Sequence, residues 1–194
     1  MIFGAIKSGL KAFGNAINPV KKRRTFASIA YDKKRDDVIN GYKKIMEDEN
    51  NVAYRDNEGN VKIGIAGTHS LKDVITDIKV LGGKKIEDTQ RYKQSEDFIK
   101  KINEKYRPKK MELETHSLSG MIGNKLADKY DFITGGKSYN PFLLNKSQIS
   151  KKIENVRSPF DIVSGLVSPN IKTDYSKILN TSILDAHGVE QFSG

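Results

Sequence analysis

The sequence predicts an α/β protein in which a mostly parallel sheet is flanked by helices. Segments with strand-like and helix-like hydrophobic spacing alternate over most of the chain, as in parallel sheets covered by helices. A length of 194 residues with 37% hydrophobic residues suits one domain with a modest core. The expected boundaries are an amphipathic, basic N-terminal segment over residues 1–24 and the α/β domain over residues 25–194.

Composition excludes several classes of site. The chain has no cysteine, which rules out disulfides, thiolate metal sites and cysteine nucleophiles. The three histidines are isolated from one another and form no metal-ligand spacing, so neither a metal nor another cofactor is implied. No apolar run approaches the roughly 20 residues that span a bilayer.

The positive charge is concentrated at the N-terminus. Residues 1–24 contain six basic residues and no acid, whereas residues 25–194 carry 28 basic and 24 acidic residues. The apolar residues of this segment recur every three or four positions, so it either packs on the domain as a helix or lies on an anionic membrane surface. The residues expected to contact the membrane are Phe3, Lys7, Lys11, Phe13, Lys21, Lys22, Arg23 and Arg24.

Alternatives for the basic cluster at 21–24 are a nuclear address, a solvated linker and a nucleic-acid contact. The mildly basic domain itself gives no indication of a nucleic-acid groove.

Before the centre of the chain, the spacing predicts a helix over 32–49 and a hairpin whose strands are 52–54 and 61–66. The second strand ends in Gly67-Thr68, which suits close approach to a substrate. Helices are predicted over 71–80 and 88–106, the latter stopped by Pro108.

After the centre, the spacing predicts a short strand over 130–134, a loop with exposed apolar residues over 140–144, and a last strand over 151–157. This strand leads to Asp161. The polar C-terminal part contains His187.

The central stretch predicts a nucleophilic serine. Met111, Leu113 and Thr115 alternate with glutamates as in a strand, and helical spacing begins directly after Ser117. A serine on such a sharp strand-to-helix turn presents its hydroxyl to a substrate carbonyl, with a backbone amide facing the developing oxyanion. The alternative is an ordinary helix N-cap.

Ser117 is therefore expected to act with a base and an acid. The candidates are His187 as general base and Asp161 as the carboxylate that orients the imidazole, in the chain order associated with α/β-hydrolases. The oxyanion donors would be the Leu118 amide and the backbone or hydroxyl of Thr68. Alternatively, Asp161 caps a turn and His187 is a surface residue.

These motifs resemble those of the class 3 lipases over roughly residues 60–192. The family's elbow reads Gly-His-Ser-Leu-Gly-Gly, and residues 115–120 read Thr-His-Ser-Leu-Ser-Gly. The stretches after residue 65, around Asp161 and around His187 resemble the family's oxyanion strand, acid and histidine. The resemblance implies an α/β-hydrolase fold and hydrolysis of carboxylic esters, with lipid esters as the expected substrates, although Thr115 and Ser119 replace two small glycines.

Two functions of different class follow. The first is a serine lipase or esterase brought to a membrane by its N-terminal segment, a combination that would also suit a virion protein. The second is a membrane-binding or structural protein, such as a virion-associated one, that keeps the lipase-like fold with weak or no turnover. The altered elbow favours the second.

Overall fold

The computed structural model describes residues 24–68, 85–143, 146–159 and 171–173. Eight strands form one mixed sheet in which their spatial order follows their order in the chain. The pairs from β1 to β4 are antiparallel, and the pairs from β4 to β8 are parallel. The strands are β1 (Val38–Ile39), β2 (Tyr42–Glu47), β3 (Asn51–Arg55), β4 (Val61–Ile65), β5 (Met111–His116), β6 (Gly135–Tyr139), β7 (Ile153–Arg157) and β8 (Lys172–Thr173).

Helices lie on both faces of this sheet. The α-helices of the described residues are α1 (Phe26–Ile29), α2 (Gln90–Tyr106) and α3 (Leu118–Lys129), and short 3-10 turns lie at Ile86–Asp88 and Lys146–Gln148. The main core joins α2 and α3 to alternate residues of the central strands, including Ile63 and Leu113. The α1 helix packs on the opposite face, where a β-carbon on Gly64 would lie 2.0 Å from the Phe26 carbonyl oxygen. The α/β class is thus confirmed, but the sheet is mixed and not mostly parallel as predicted, because β1 to β4 follow one another in antiparallel hairpins.

The predicted helix over 32–49 is wrong. This segment contains β1 and β2, which form a hairpin with Ile39 opposite Tyr42. Asn40 and Gly41 lie between the strands with φ angles of 52° and 83°. Two consecutive positive φ angles are what a tight two-residue hairpin turn requires, and Asn-Gly is its preferred sequence. The helical spacing was coincidental, and the turn signal decides the structure.

The predicted strand over 130–134 is also wrong, because the strand begins at Gly135. Tyr130 caps α3 and stacks on Phe132, with the ring centroids 4.9 Å apart. The two glycines lie inside the strand: a β-carbon on Gly136 would come within 2.2 Å of the Leu113 carbonyl oxygen. Bare backbone is therefore needed where β6 passes β5.

Two expectations about the following residues need correction. Phe142 and Leu143 are fully buried and not exposed as expected. The strand over 151–157 is confirmed as β7, but β8 follows it, so it is not the last.

Three further predictions agree with the structure. The hairpin of β3 and β4, the long helix α2 and the direct passage from β5 into α3 are confirmed. The predicted N-terminal helix and the helix over 71–80 lie outside the described residues. In the part of the chain that the structure describes, no helix is both long and apolar enough to cross a membrane.

Candidate active site

Ser117 lies at the turn between β5 and α3 with φ 57° and ψ −125°, a conformation rare for a residue with a side chain. Such backbone costs of order 1–3 kcal/mol and persists where surrounding contacts enforce it. Here the Ser117 amide donates to the Tyr139 carbonyl (3.2 Å), and the Ser117 carbonyl accepts from the amides of Gly120 and Phe142 (both 2.9 Å). The Ser117 side chain makes no capping hydrogen bond to α3, so the N-cap alternative is not supported.

The structure accommodates both residues that replace elbow glycines. The Thr115 methyl group fits beside Gly123 of α3, where an added β-carbon would lie only 2.6 Å from it. The Thr115 hydroxyl donates to Ser138 Oγ at 2.7 Å. The Ser119 hydroxyl accepts from the His116 amide at 3.0 Å and donates to the Ile65 carbonyl at 2.8 Å. Residue 115 is a threonine where the motif has a small glycine. The room for its methyl group comes from Gly123 of α3, which has no side chain.

The Gly67-Thr68 turn lies directly beside Ser117. The β4 and β5 strands are parallel with Ile65 opposite Thr115, so both strands end at the same edge of the sheet. A β-carbon on Gly67 would lie 2.2 Å from the His116 carbonyl oxygen and 3.0 Å from the Ser117 β-carbon. Only glycine allows this approach. The predicted oxyanion residue Thr68 follows this contact, and the other, Leu118, is the first residue of α3.

Tyr31 and Arg91 bind the same turn, and sequence reasoning missed both. The Tyr31 hydroxyl accepts from the Gly67 amide at 2.7 Å and lies 2.7 Å from His116 Nδ1. Arg91 Nη2 donates to the carbonyls of Ala66 and of Gly67 (3.0 Å for Gly67). Burial raises the pKa of Tyr31 well above its usual value, so the hydroxyl keeps its proton at neutral pH.

Nothing local in the sequence marks these two residues. Tyr31 precedes a segment whose structure was mispredicted, and Arg91 is one charge among many on an amphipathic helix. His116, which the sequence suggested as a packing or supporting residue, contacts the Tyr31 ring edge-on with centroids 5.7 Å apart.

The ends of β6 and β7 complete this edge of the sheet. The Asn140 amide donates to the Val156 carbonyl (2.8 Å), and the Asn140 side chain accepts from the Ser158 amide (2.8 Å). The Ser158 hydroxyl is buried and has no hydrogen-bond partner among the described residues. Asp161, the predicted acid, comes three residues after Ser158 but lies outside the described residues, as does His187. The structure therefore brings together Ser117, Leu118 and Thr68 of the five predicted catalytic and oxyanion residues.

Ser117 is 0% exposed, although a nucleophile must meet its substrate. Ser117 lines neither of two described surface grooves. The larger, about 700 Å³, is lined by Tyr31 and by charged residues of segments 32–37 and 44–49, and the smaller, about 310 Å³, lies between β2 and α2. Neither includes a predicted site residue.

Among the residues predicted to contact a membrane, only Arg24 is described. Its guanidinium forms a two-pronged ion pair with Asp32, at 2.6 and 3.0 Å. This pair ties Arg24 to the start of the folded domain. The other seven residues lie outside the described part of the chain.

Within the described ranges, no group of three or more histidine, aspartate or glutamate side chains is arranged to bind a metal ion. Comparison with protein-family models and with curated proteins finds no match to this chain. The class of protein is therefore argued from the fold and from the geometry around Ser117.

Proposed function

We propose that this protein is a serine hydrolase of the α/β-hydrolase type that cleaves carboxylic, lipid-like esters. The observation that carries the proposal is the backbone of Ser117, with φ 57° and ψ −125° on a turn that joins a parallel strand to a helix. Strain of this kind is characteristic of nucleophile elbows, where it separates the serine from both flanking elements. Gly67, two residues after the neighbouring strand β4, lies so close to the serine that an added β-carbon would be 3.0 Å from the Ser117 β-carbon, an approach that suits an oxyanion strand.

The proposed chemistry has two halves. The Ser117 oxygen attacks the ester carbonyl while its proton passes to the His187 imidazole, and the carbonyl oxygen becomes an oxyanion bound by the amides of Leu118 and Thr68. The alcohol leaves with that proton, and a water molecule then attacks the acyl-enzyme by the same route. Asp161 would orient the imidazole and stabilise its cation.

The test compares the parent chain with Ser117→Ala on p-nitrophenyl esters of several chain lengths. Loss of the nucleophile should reduce kcat by at least about 10³-fold. Ser147→Ala is the matched control, because it removes a hydroxyl of the same size from an exposed residue. A fluorophosphonate probe should label the parent at Ser117, as shown by peptide mapping. Equal background rates for parent and Ser117→Ala, with no labelling, would refute the proposal.

A second candidate, a membrane-binding or structural protein without turnover, is favoured by the complete burial of Ser117. A chain of this kind would keep the strained turn without admitting a substrate. It predicts no fluorophosphonate labelling and no ester hydrolysis, so the same experiment separates the two functions.

We also propose that the N-terminal segment, residues 1–24, attaches the protein to anionic membranes. Its six basic residues and its apolar residues at helical spacing suit a membrane surface. The deletion that tests this stops at residue 23, because Arg24 pairs with Asp32. Liposome flotation should depend on anionic lipid and should be lost on deletion of residues 1–23. Flotation of the truncated chain equal to that of the parent would refute this attachment.

A further inference from the structure

We infer that Arg91 and Tyr31 are positioning residues that orient the Thr68 amide toward the oxyanion formed at Ser117. This inference rests on the proposed serine hydrolase activity and adds two residues to it. It is carried by the hydrogen bonds that these side chains make to two consecutive peptide groups of the turn after β4.

The first peptide group, between Ala66 and Gly67, is held at both ends. Arg91 donates to its carbonyl oxygen, and its amide donates to the Tyr31 hydroxyl. A peptide group is planar, so two bonds at opposite ends fix the direction of its plane. Gly67 would otherwise be the most mobile point of this turn, since glycine has the widest choice of backbone angles.

The second peptide group carries the proposed oxyanion donor. The Gly67 carbonyl and the Thr68 amide belong to the same plane and point in opposite directions in a trans peptide. Arg91 Nη2 binds this carbonyl at 3.0 Å, and therefore determines where the Thr68 N–H points. The guanidinium charge also polarises the peptide, which strengthens its N–H as a donor to an anion.

The proximity of the turn to Ser117 gives this orientation a catalytic consequence. The Gly67 position lies against Ser117, so a rotation of the peptide that follows it changes the distance from the Thr68 N–H to the oxyanion. Removal of one oxyanion donor typically costs about 10²–10³-fold in kcat, and misplacement by about 1 Å can cost 10²-fold. The effect should fall on the transition state and leave substrate binding almost unchanged.

The test uses the full-length chain with Arg91→Met, Arg91→Lys and Tyr31→Phe. Lys93→Met is the matched control, because it removes an exposed cation from the same helix. We expect Arg91→Met to lower kcat by about 10–100-fold with KM within about twofold, and Tyr31→Phe to lower it by about tenfold. Arg91→Lys should restore part of kcat, since an ammonium also carries protons for the carbonyls.

An alkyl boronic acid supplies a second readout, because its tetrahedral adduct with serine places an oxygen in the oxyanion site. Its affinity should fall by the same factor as kcat in each variant. Parental kcat and boronate affinity in folded Arg91→Met and Tyr31→Phe would overturn the inference while leaving the hydrolase intact. If Arg91→Met does not fold by circular dichroism, Tyr31→Phe, which loses one oxygen atom, decides the question. A parent chain without Ser117-dependent turnover overturns both proposals.

Discussion

At the scale of single residues, the close packing around Ser117 depends on two glycines that have no side chain. Gly67 lets the segment after β4 pack closely against Ser117, and Gly123 leaves room for the Thr115 methyl group. At this contact β5 contributes the threonine methyl group and α3 contributes the glycine. The two elements can pack closely when only one of them has a glycine there.

This exchange of volume is testable. Gly123→Ala should destabilise the fold by about 1–3 kcal/mol through overpacking, offset in part by the helix preference of alanine. Thr115→Ser removes the methyl group and keeps a hydroxyl for Ser138. In the double variant the stability loss should be smaller than the sum of the single losses by at least about 1 kcal/mol. Urea unfolding of all four chains measures this coupling, and additive losses would contradict the packing argument.

A buried carboxylate on β5 adds a pH dependence. Glu114 is only 9% exposed; it accepts from the Phe26 amide at 2.7 Å and lies 3.5 Å from Lys62 Nζ. Burial raises the pKa of Glu114 above its ordinary value of 4.5, despite the opposing effect of Lys62. The folded state then holds this proton more tightly than the unfolded state, so its contribution to stability falls as pH rises from about 4.5 through the folded-state pKa.

Glu114→Gln removes this titration and keeps an oxygen for the Phe26 amide. We therefore expect the variant to gain stability relative to the parent as pH rises above about 4.5, the ordinary value for this carboxyl. Urea unfolding at a series of pH values measures the difference. Glu112→Gln, on the same strand and more exposed, serves as the control. A difference that is constant with pH would show that Glu114 titrates alike in both states.

At the scale of elements, one arginine organises the segment that was mispredicted as a helix. Arg35 is buried and donates to the carbonyls of Ala30, Asp48, Glu49 and Asn51. These acceptors are the C-cap of α1, two residues of the turn between β2 and β3, and the first residue of β3. The N-terminal hairpins are therefore fastened to α1 by one side chain, in addition to their strand pairing.

Arg35→Met should leave these carbonyls, of which those of Ala30 and Asn51 are bound in buried contacts, without a charged donor and cost at least about 2 kcal/mol of unfolding free energy. Lys34→Met removes a neighbouring exposed cation and should change stability by less than about 0.5 kcal/mol. Thermal unfolding compares the two. Equal stability of both variants would show that the Arg35 bonds are replaced by solvent.

At the scale of the whole molecule, the parallel strands β4 to β8 have their carboxyl ends at the same side of the sheet. Ser117, the Gly67 turn, Asn140 and Ser158 all follow parallel strands at that side. This topology supports a composite site built from segments distant in sequence.

The predicted acid and base can be tested by substitution. His187→Ala and Asp161→Ala should lower kcat by about 10⁶-fold and about 10⁴-fold respectively with the melting temperature maintained, because removing a triad member leaves only binding and oxyanion stabilisation. Asp131→Ala is the control, since that carboxylate is fully exposed. Unchanged kcat in either His187→Ala or Asp161→Ala would exclude that residue from the mechanism.

The sequence predicted those features that arise from neighbouring residues. The alternation in β5 and the helical spacing after Ser117 depend on contacts within a few positions, so the turn and its serine could be located directly. The same reasoning failed over 32–49, where the Asn40-Gly41 turn outweighed an apparent helical period. It failed again at β6, because two consecutive glycines normally indicate the end of a strand. Only the close neighbouring strand β5 explains why Gly135 and Gly136 lie inside one.

Only the tertiary structure could decide how the strand-to-helix turn at Ser117 accommodates Thr115, and which side chains hold the Gly67-Thr68 segment in place. The partner of Thr115 lies in the next helix, while Tyr31 and Arg91 reach Gly67 from positions far away in the chain. Short-range periodicity carries no information about such contacts, because they depend on the packing of whole elements. The sequence by itself determined which serine stands at the sharp turn, and the packing of distant segments determined the surroundings in which that serine would act.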